Sequence, residues 1–298
     1  MVSFALMLLL GAAAGRLGIV RKESLPDVIA LVLKVLLPVM LFYLMYDGAT
    51  REVLTSHLPM VAFAAAFYAA IIGVMAAMAR LLCLEGDKSK AFQLVFVFGN
   101  TGFIGLPLLA AVFPETGVVN LALFMIVDQV VFWTYGVRLA AGSSGKVRVS
   151  PKNFFNPNIV AILLALAFVI AEVPLPGVVD ETLSVLSGVA SPLCMLCLGA
   201  LCHFSDIGKA LRSKELYFGV VVKMVALPLT AGSLLLMAPL PRDLVASAVI
   251  MMAMPTTTLV PLTVEAYGTQ GDYAAVLTVA TIALSVVTIP FVVFALGL

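Results

Sequence analysis

Two long apolar segments of this 298-residue chain are interrupted at their centres, and the interruptions occupy matching places in its two halves. The first reads Asn100-Thr101-Gly102-Phe103-Ile104-Gly105-Leu106-Pro107, and the second reads Met254-Pro255-Thr256-Thr257-Thr258-Leu259-Val260-Pro261. A shift of 154 positions carries Pro107 onto Pro261, and the same shift carries Pro38 onto Pro192. A helix in hydrocarbon hides its polar backbone by bonding to itself. A break at mid-depth leaves amides and carbonyls unpaired where no water can take them. Such breaks persist where the freed groups line a cavity or hold a ligand, and paired breaks in two repeats point to a transporter substrate site.

The composition requires a membrane. The chain is 63% hydrophobic and 11% charged, with a mean hydropathy of +1.17. Apolar runs of the ~20 residues needed to cross a bilayer recur along its whole length. A net charge of +1 gives no reason to expect nucleic acid as a partner. No G-x-x-x-x-G-K-[ST] loop is present for ATP-driven transport. H-E-x-x-H, G-x-S-x-G and paired-carboxylate motifs are also missing, so an enzyme is not expected. Cys194 and Cys197 form a C-x-x-C inside an apolar segment. With His57 and His203 as the only histidines, they read as small packing side chains and no metal site is expected. The N-terminal apolar run lacks a preceding basic region and reads as a first spanning helix, not a cleaved leader.

Ten spans are expected, at about 2–20, 24–46, 57–80, 90–112, 117–139, 156–173, 178–202, 214–236, 243–266 and 272–296. Thirteen of the 17 lysines and arginines fall in the loops after helices 1, 3, 5 and 7, against Arg51 and Arg242 on the opposite side. Positive charge marks the cytoplasmic face. Both termini are therefore expected to be periplasmic or extracellular, in a multi-pass protein of the bacterial inner membrane. The chain divides into a five-helix repeat over 1–140, a cytoplasmic linker over 141–155 and a second repeat over 156–298. Five is odd, so the second repeat enters the membrane inverted.

Helix 4 runs from Lys90 to Asn100 before it breaks, about 15 Å of rise and half of a ~30 Å core. Gly102 and Gly105 permit backbone conformations closed to other residues, and Pro107 lacks an amide. In helix 9, Pro255 and Pro261 bracket Thr256, Thr257 and Thr258, whose hydroxyls can bond local carbonyls or substrate oxygens. If the breaks face each other, the half-helix N-termini converge and favour an anion, while freed carbonyls suit a cation. The alternative is a pair of kinked packing helices with no ligand.

Three ionisable side chains also fall near mid-depth, where each costs ~3 kcal/mol or more unless it faces the protein interior. Asp128, with its neighbour Gln129, is a candidate proton or ion site. Lys223 is a candidate counter-ion for Asp128 or for an anionic substrate; equally, Lys223 and Asp128 can be a structural pair. Lys34 is expected to snorkel or to lie against another part of the protein.

The Asn100–Pro107 segment resembles helix 4 of the auxin efflux carrier family of permeases, the bacterial relatives of the plant PIN carriers. Gly15-Arg16-Leu17-Gly18-Ile19-Val20, Leu37-Pro38, Asn156-Pro157-Asn158, Ser191-Pro192 with Gly199, and Met254-Pro255 onward to Tyr267-Gly268 are similar to other segments of that family, so the likeness covers essentially the whole chain. The resemblance implies an all-α fold of two inverted five-helix repeats. Helices 1, 2, 6 and 7 would form a scaffold, and helices 3–5 and 8–10 a mobile transport domain with crossing helices 4 and 9. It implies elevator-type secondary transport of a small organic anion, a dicarboxylate such as malate or malonate or an auxin-like carboxylate. Asn100, Thr101, Gly102, Gly105, Pro107, Met254, Pro255, Thr256, Thr257, Thr258 and Pro261 would line the site. No cofactor is expected beyond a coupling proton or sodium ion. The bile-acid/sodium symporter family shares this architecture, and sodium coupling is the first alternative. A non-transporting ligand sensor is the second. The bilayer is the other expected partner, and a homodimer is left open. The three consecutive threonines of helix 9 depart from the family's usual smaller apolar residues or asparagine.

Overall fold

The computed structural model describes residues 2–48, 50–142, 157–204, 212–267 and 269–298. Among them are twelve helices: α1 (Val2–Arg16), α2 (Leu25–Asp47), α3 (Arg51–Leu81), α4 (Gly86–Val97), α5 (101–112), α6 (Gly117–Ala140), α7 (Pro157–Ala171), α8 (Gly177–Phe204), α9 (Lys214–Leu236), α10 (Arg242–Met252), α11 (Leu259–Ala266) and α12 (Gly271–Ala295). There is no β-sheet among the described residues, and α2, α3, α6, α8, α9 and α12 are each long and apolar enough to cross a bilayer. Shorter apolar helices lie at α1 and α7, while α4 with α5 and α10 with α11 are the halves of the two interrupted segments. The chain is an all-helical, multi-pass membrane protein. Nearly all of the expected linker over 141–155 lies outside the described residues, as does Asn156.

Proline chemistry explains three of the four irregular turns within these helices. Proline removes an amide, and its ring presses on the carbonyl four residues earlier. A wider π-type turn takes up that strain. Three such turns, Val32–Leu36, Thr101–Gly105 and Val220–Ala226, each end two residues before a proline, at Pro38, Pro107 and Pro228. The fourth, Phe132–Gly136, ends on a glycine against which the Phe98 ring packs. Pro107 then opens the helical half that follows its break, where a missing amide does no harm. Helix α3 starts at Arg51, earlier than the expected 57, because the Thr50 hydroxyl caps it by accepting the Val53 amide at 3.2 Å.

Two compact units result. The first comprises Met1–Pro59, Gly102–Met125 and Phe155–Phe204. Within it α1 lies along α8, and α2 packs on α7 and α8. The α1–α8 approach is very close: a Cβ at Gly199 would collide with the Leu8 carbonyl, and one at Gly11 with the Leu196 carbonyl. Small residues allow this, and van der Waals contact between close backbones is what drives helices together in lipid. Phe42, Tyr46 and Phe168 form an aromatic cluster, and the Tyr46 hydroxyl accepts the Leu175 amide at 3.0 Å. Lys34 is exposed in this unit.

The second unit comprises Met60–Thr101, Ile126–Phe154 and Ser205–Leu298. Here α12 packs on α4, α10 and α11, and α9 packs on α10. Leu234, Phe291 and Phe294 are exposed, as a lipid-facing surface requires.

Because backbone meets backbone at Gly199, Gly199→Val should force α1 from α8 and destabilise the protein by about 1–3 kcal/mol. A thermal melt in detergent reads this directly, and a midpoint equal to wild type would contradict the packing.

Candidate functional site

The two interrupted segments meet in the second unit. After α4 the chain runs extended through Phe98, Gly99 and Asn100. After α10 it does the same near Pro255, Thr256 and Thr257. These stretches pair antiparallel, with Gly99 opposite Thr256. The Asn100 amide donates to the Pro255 carbonyl at 2.7 Å, and the Thr257 amide donates to the Phe98 carbonyl at 3.3 Å. Backbone groups released by each break are thus taken up by the other, which meets the demand that hydrocarbon places on polar backbone.

Thr256 fastens the crossing on two sides. Its hydroxyl donates to the Val95 carbonyl on α4 at 2.6 Å, and its amide donates to the Thr281 hydroxyl on α12 at 3.1 Å. Thr281 in turn donates to the Thr278 carbonyl at 2.7 Å. Asn100, Thr101, Met254, Pro255, Thr256 and Thr258 are buried, and Thr257 and Pro261 are half-buried. Among the described residues the enclosed Thr258 hydroxyl has no hydrogen-bond partner. Gly102, Gly105 and Pro107 belong to the first unit, so the residues gathered at the crossing are Asn100, Thr101 and those from Met254 to Thr258.

The two charges of the second unit that were expected near mid-depth, Asp128 and Lys223, are both buried. The Tyr68 hydroxyl on α3 donates to one oxygen of Asp128, and Gln129 donates its side-chain amide to the other at 2.9 Å. The Trp133 indole donates to Gln129 Oε1 at 3.3 Å. Both carboxylate oxygens therefore have donors, the condition under which a buried carboxylate is tolerated. Lys223 does not form an ion pair with Asp128. The two attract each other, but the Lys223 ammonium instead donates to the Met254 carbonyl at 2.5 Å. A ring sequence runs from Tyr68 to Phe98 and Phe132, with centroids 5.8 Å and 5.0 Å apart, and seats the extended stretch against α3 and α6. Among the described residues no three His, Cys, Asp or Glu side chains come together to hold a metal ion. Cys194 and Cys197 are buried free thiols of the first unit.

Three contributors escaped the sequence reading: Tyr68, Thr281 and the Val95 carbonyl. Tyr68 carried a usable signal, since a tyrosine at mid-span needs a partner for its hydroxyl. Thr281 and Val95 carried none, because a threonine in an apolar helix and a helical carbonyl look the same wherever they occur.

A helical membrane protein whose two interrupted segments pair at their breaks has the build of a membrane transporter. A profile of the family described as "Membrane transport protein" matches residues 1–293. The chain belongs to that family, which is the family of the auxin efflux carriers. An uncharacterized transporter of Methanothermobacter thermautotrophicus is 25% identical over 235 residues, covering 78% of this chain and 76% of that protein. An uncharacterized transporter of Methanocaldococcus jannaschii is 24% identical over 231 residues, covering 74% and 71%.

The two central threonines separate fastening from mere presence. Thr256→Val removes hydroxyl bonding to α4 and should destabilise by about 1–3 kcal/mol. Thr257→Val loses only a 3.4 Å contact from the Leu259 amide and should melt close to wild type. Equal melting of the two variants would show that the Thr256 bonds do not hold the crossing.

Proposed function

We propose that this transporter is a secondary carrier of a small organic anion, with its substrate site at the crossing in the second unit. Asn100, Thr101, Met254, Pro255, Thr256, Thr257 and Thr258 surround the substrate, while Gly102, Gly105, Pro107 and Pro261 shape the breaks. The observation that carries this reading is the antiparallel pairing of Gly99 with Thr256. It is supported by a buried ammonium, Lys223, hydrogen-bonded at the same break. An anion meets there a fixed positive charge in a low-dielectric setting, where Coulomb attraction is far stronger than in water. Asp128, held by Tyr68 and Gln129, balances that charge and is the candidate coupling group.

Ten spans in two inverted repeats, the scaffold and transport-domain division, and an elevator motion belong to this reading. It is supported by the way the second unit collects the segments of the expected helices 3 and 8–10 with the facing parts of 4 and 5. The charge asymmetry of the loops supports periplasmic or extracellular termini in a bacterial inner membrane. Malate, malonate and auxin-like carboxylates are the first cargoes to try.

Current recorded from purified protein in liposomes on a solid-supported membrane should rise saturably with at least one of these carboxylates. In Asn100→Ala, which stays folded, it should fall at least about tenfold, the loss of roughly 1.4 kcal/mol of binding or turnover energy. Normal current in that variant would remove the crossing from the mechanism. Orientation has its own test at the exposed Cys83. With Cys194, Cys197 and Cys202 replaced by alanine, a membrane-impermeant maleimide should label Cys83 in inside-out vesicles and spare it in intact cells. The reverse pattern would invert the topology.

A further inference from the structure

The ends of α2, α3 and α7 in the first unit enclose a cavity of about 490 Å³ that contains none of the residues of the crossing. Its size is that of a small-ligand site. Tyr46, Asp47, Arg51, Phe168 and Glu172 line it, and two carboxylates against one guanidinium leave it net negative. All three charged residues are exposed, and among the described residues Arg51 forms no ion pair with Asp47 or Glu172. The aromatic wall is held in place. The Tyr46 ring stacks on Phe42 at 6.0 Å and meets Phe168 edge-on at 6.3 Å, and its hydroxyl accepts the Leu175 amide at 3.0 Å. Helix α7 ends beside it in a Schellman turn: the Val173 amide donates to the Phe168 carbonyl at 3.1 Å, and the Glu172 amide to the Val169 carbonyl at 3.4 Å. That turn puts Glu172 at φ +51, a left-handed position that glycine usually fills. The chain accepts backbone strain there and gains a carboxylate at the cavity.

The cavity also lies where lipid headgroups lie. Tyr46 and Asp47 close the apolar span α2, and Arg51 opens α3. The ends of spans meet the headgroup layer, where amphipathic aromatic rings are favoured. Below the cavity Ile170, Leu164, Leu163 and Val160 continue along α7 as an exposed apolar stripe. From Val160 to Ile170 the helix rises about 15 Å, the depth of one leaflet of a ~30 Å core.

We propose that this cavity binds the headgroup of a zwitterionic phospholipid with a primary amine, a phosphatidylethanolamine drawn from the bilayer. Asp47 and Glu172 hold its ammonium against the Tyr46 and Phe168 rings, Arg51 holds its phosphate, and its acyl chains lie along the α7 stripe. Each part of the headgroup meets a matching group. An ammonium has three donors for two carboxylates, and ring faces attract cations. A guanidinium grips phosphate with paired hydrogen bonds. A headgroup with phosphate and no amine, as in phosphatidylglycerol, would leave the two carboxylates facing an uncompensated anion. The inference is independent of the anion-transport reading, because neither the site nor its test involves the crossing.

The test uses the whole protein, delipidated in detergent and titrated with dioleoyl phosphatidylethanolamine, dioleoyl phosphatidylglycerol or soluble phosphoethanolamine. The ethanolamine lipid should raise the wild-type melting midpoint saturably by several degrees, since a ligand that binds only the folded state stabilises it. Native mass spectrometry should show it retained at least about fivefold over the glycerol lipid. The double variant Asp47→Asn, Glu172→Gln keeps shape and loses charge, and it should lose both the shift and the preference. Glu172→Gly separates binding from folding. It relieves the left-handed strain, so it should melt at or above wild type without lipid and yet respond less to the ethanolamine lipid. Equal effects of the two lipids, or an undiminished response in the double variant, overturn the proposal. Stabilisation by soluble phosphoethanolamine at the same concentration as the lipid would assign the cavity to a free metabolite instead. A change of oligomeric mass in the double variant, with the lipid response intact, would assign it to a second copy of the chain. Either result overturns the lipid site.

Discussion

Two short hydrogen-bonded backbone stretches, 98–100 and 255–257, underlie the rest of the second unit. Neither would be satisfied alone in hydrocarbon, because the Asn100 amide and Phe98 carbonyl of one find their partners in the Pro255 carbonyl and Thr257 amide of the other. Their mutual satisfaction lets each of two apolar segments end one helix and start another. It also fixes what must surround them. Thr256 ties the pairing to α4 and α12, and Phe98 seats it against the aromatic rings of α3 and α6. A gap in this enclosure would admit water and give the freed groups other partners.

The charged groups follow the same logic at greater expense. Burying an isolated ion costs several kcal/mol even after the protein relaxes. Asp128 meets that demand with donors on both oxygens, drawn from a different helix through Tyr68 and from its own through Gln129. Lys223 meets it only in part, by one carbonyl and by the field of Asp128. Of the two, the cation is the less completely satisfied. An imbalance of that sign supports the proposed anionic substrate.

Much of this was legible in the residues, for identifiable reasons. Proline and glycine act on their own backbone, so the positions of the two breaks could be read locally. Bilayer thickness and hydropathy set the spans, and most expected helices fall within a few residues of those observed. The register of the crossing was not legible. The 154-residue shift that relates the prolines aligns Asn100 with Met254, whereas the chains pair Gly99 with Thr256. Equivalence between repeats is a matter of shared fold, while pairing across a crossing is set by which amide meets which carbonyl. Tyr68 and Thr281 depended in the same way on partners far along the chain, and Thr50 was overlooked although its capping role is local.

The π-type turns matter for how this chain tolerates change. Each holds one residue more than an α-helical turn does, and one residue corresponds to about 100° of rotation around a helix axis. Side chains beyond the turn therefore face a direction that no uninterrupted helix of the same sequence would give them. In α9 the displaced turn contains Lys223 itself, and in α6 it follows Asp128 and Gln129. The helices of the second unit are in effect indexed at these points. The register of the polar groups is held by the count of residues as much as by their identity, so the loss of one residue would turn a face where a substitution would alter only a side chain.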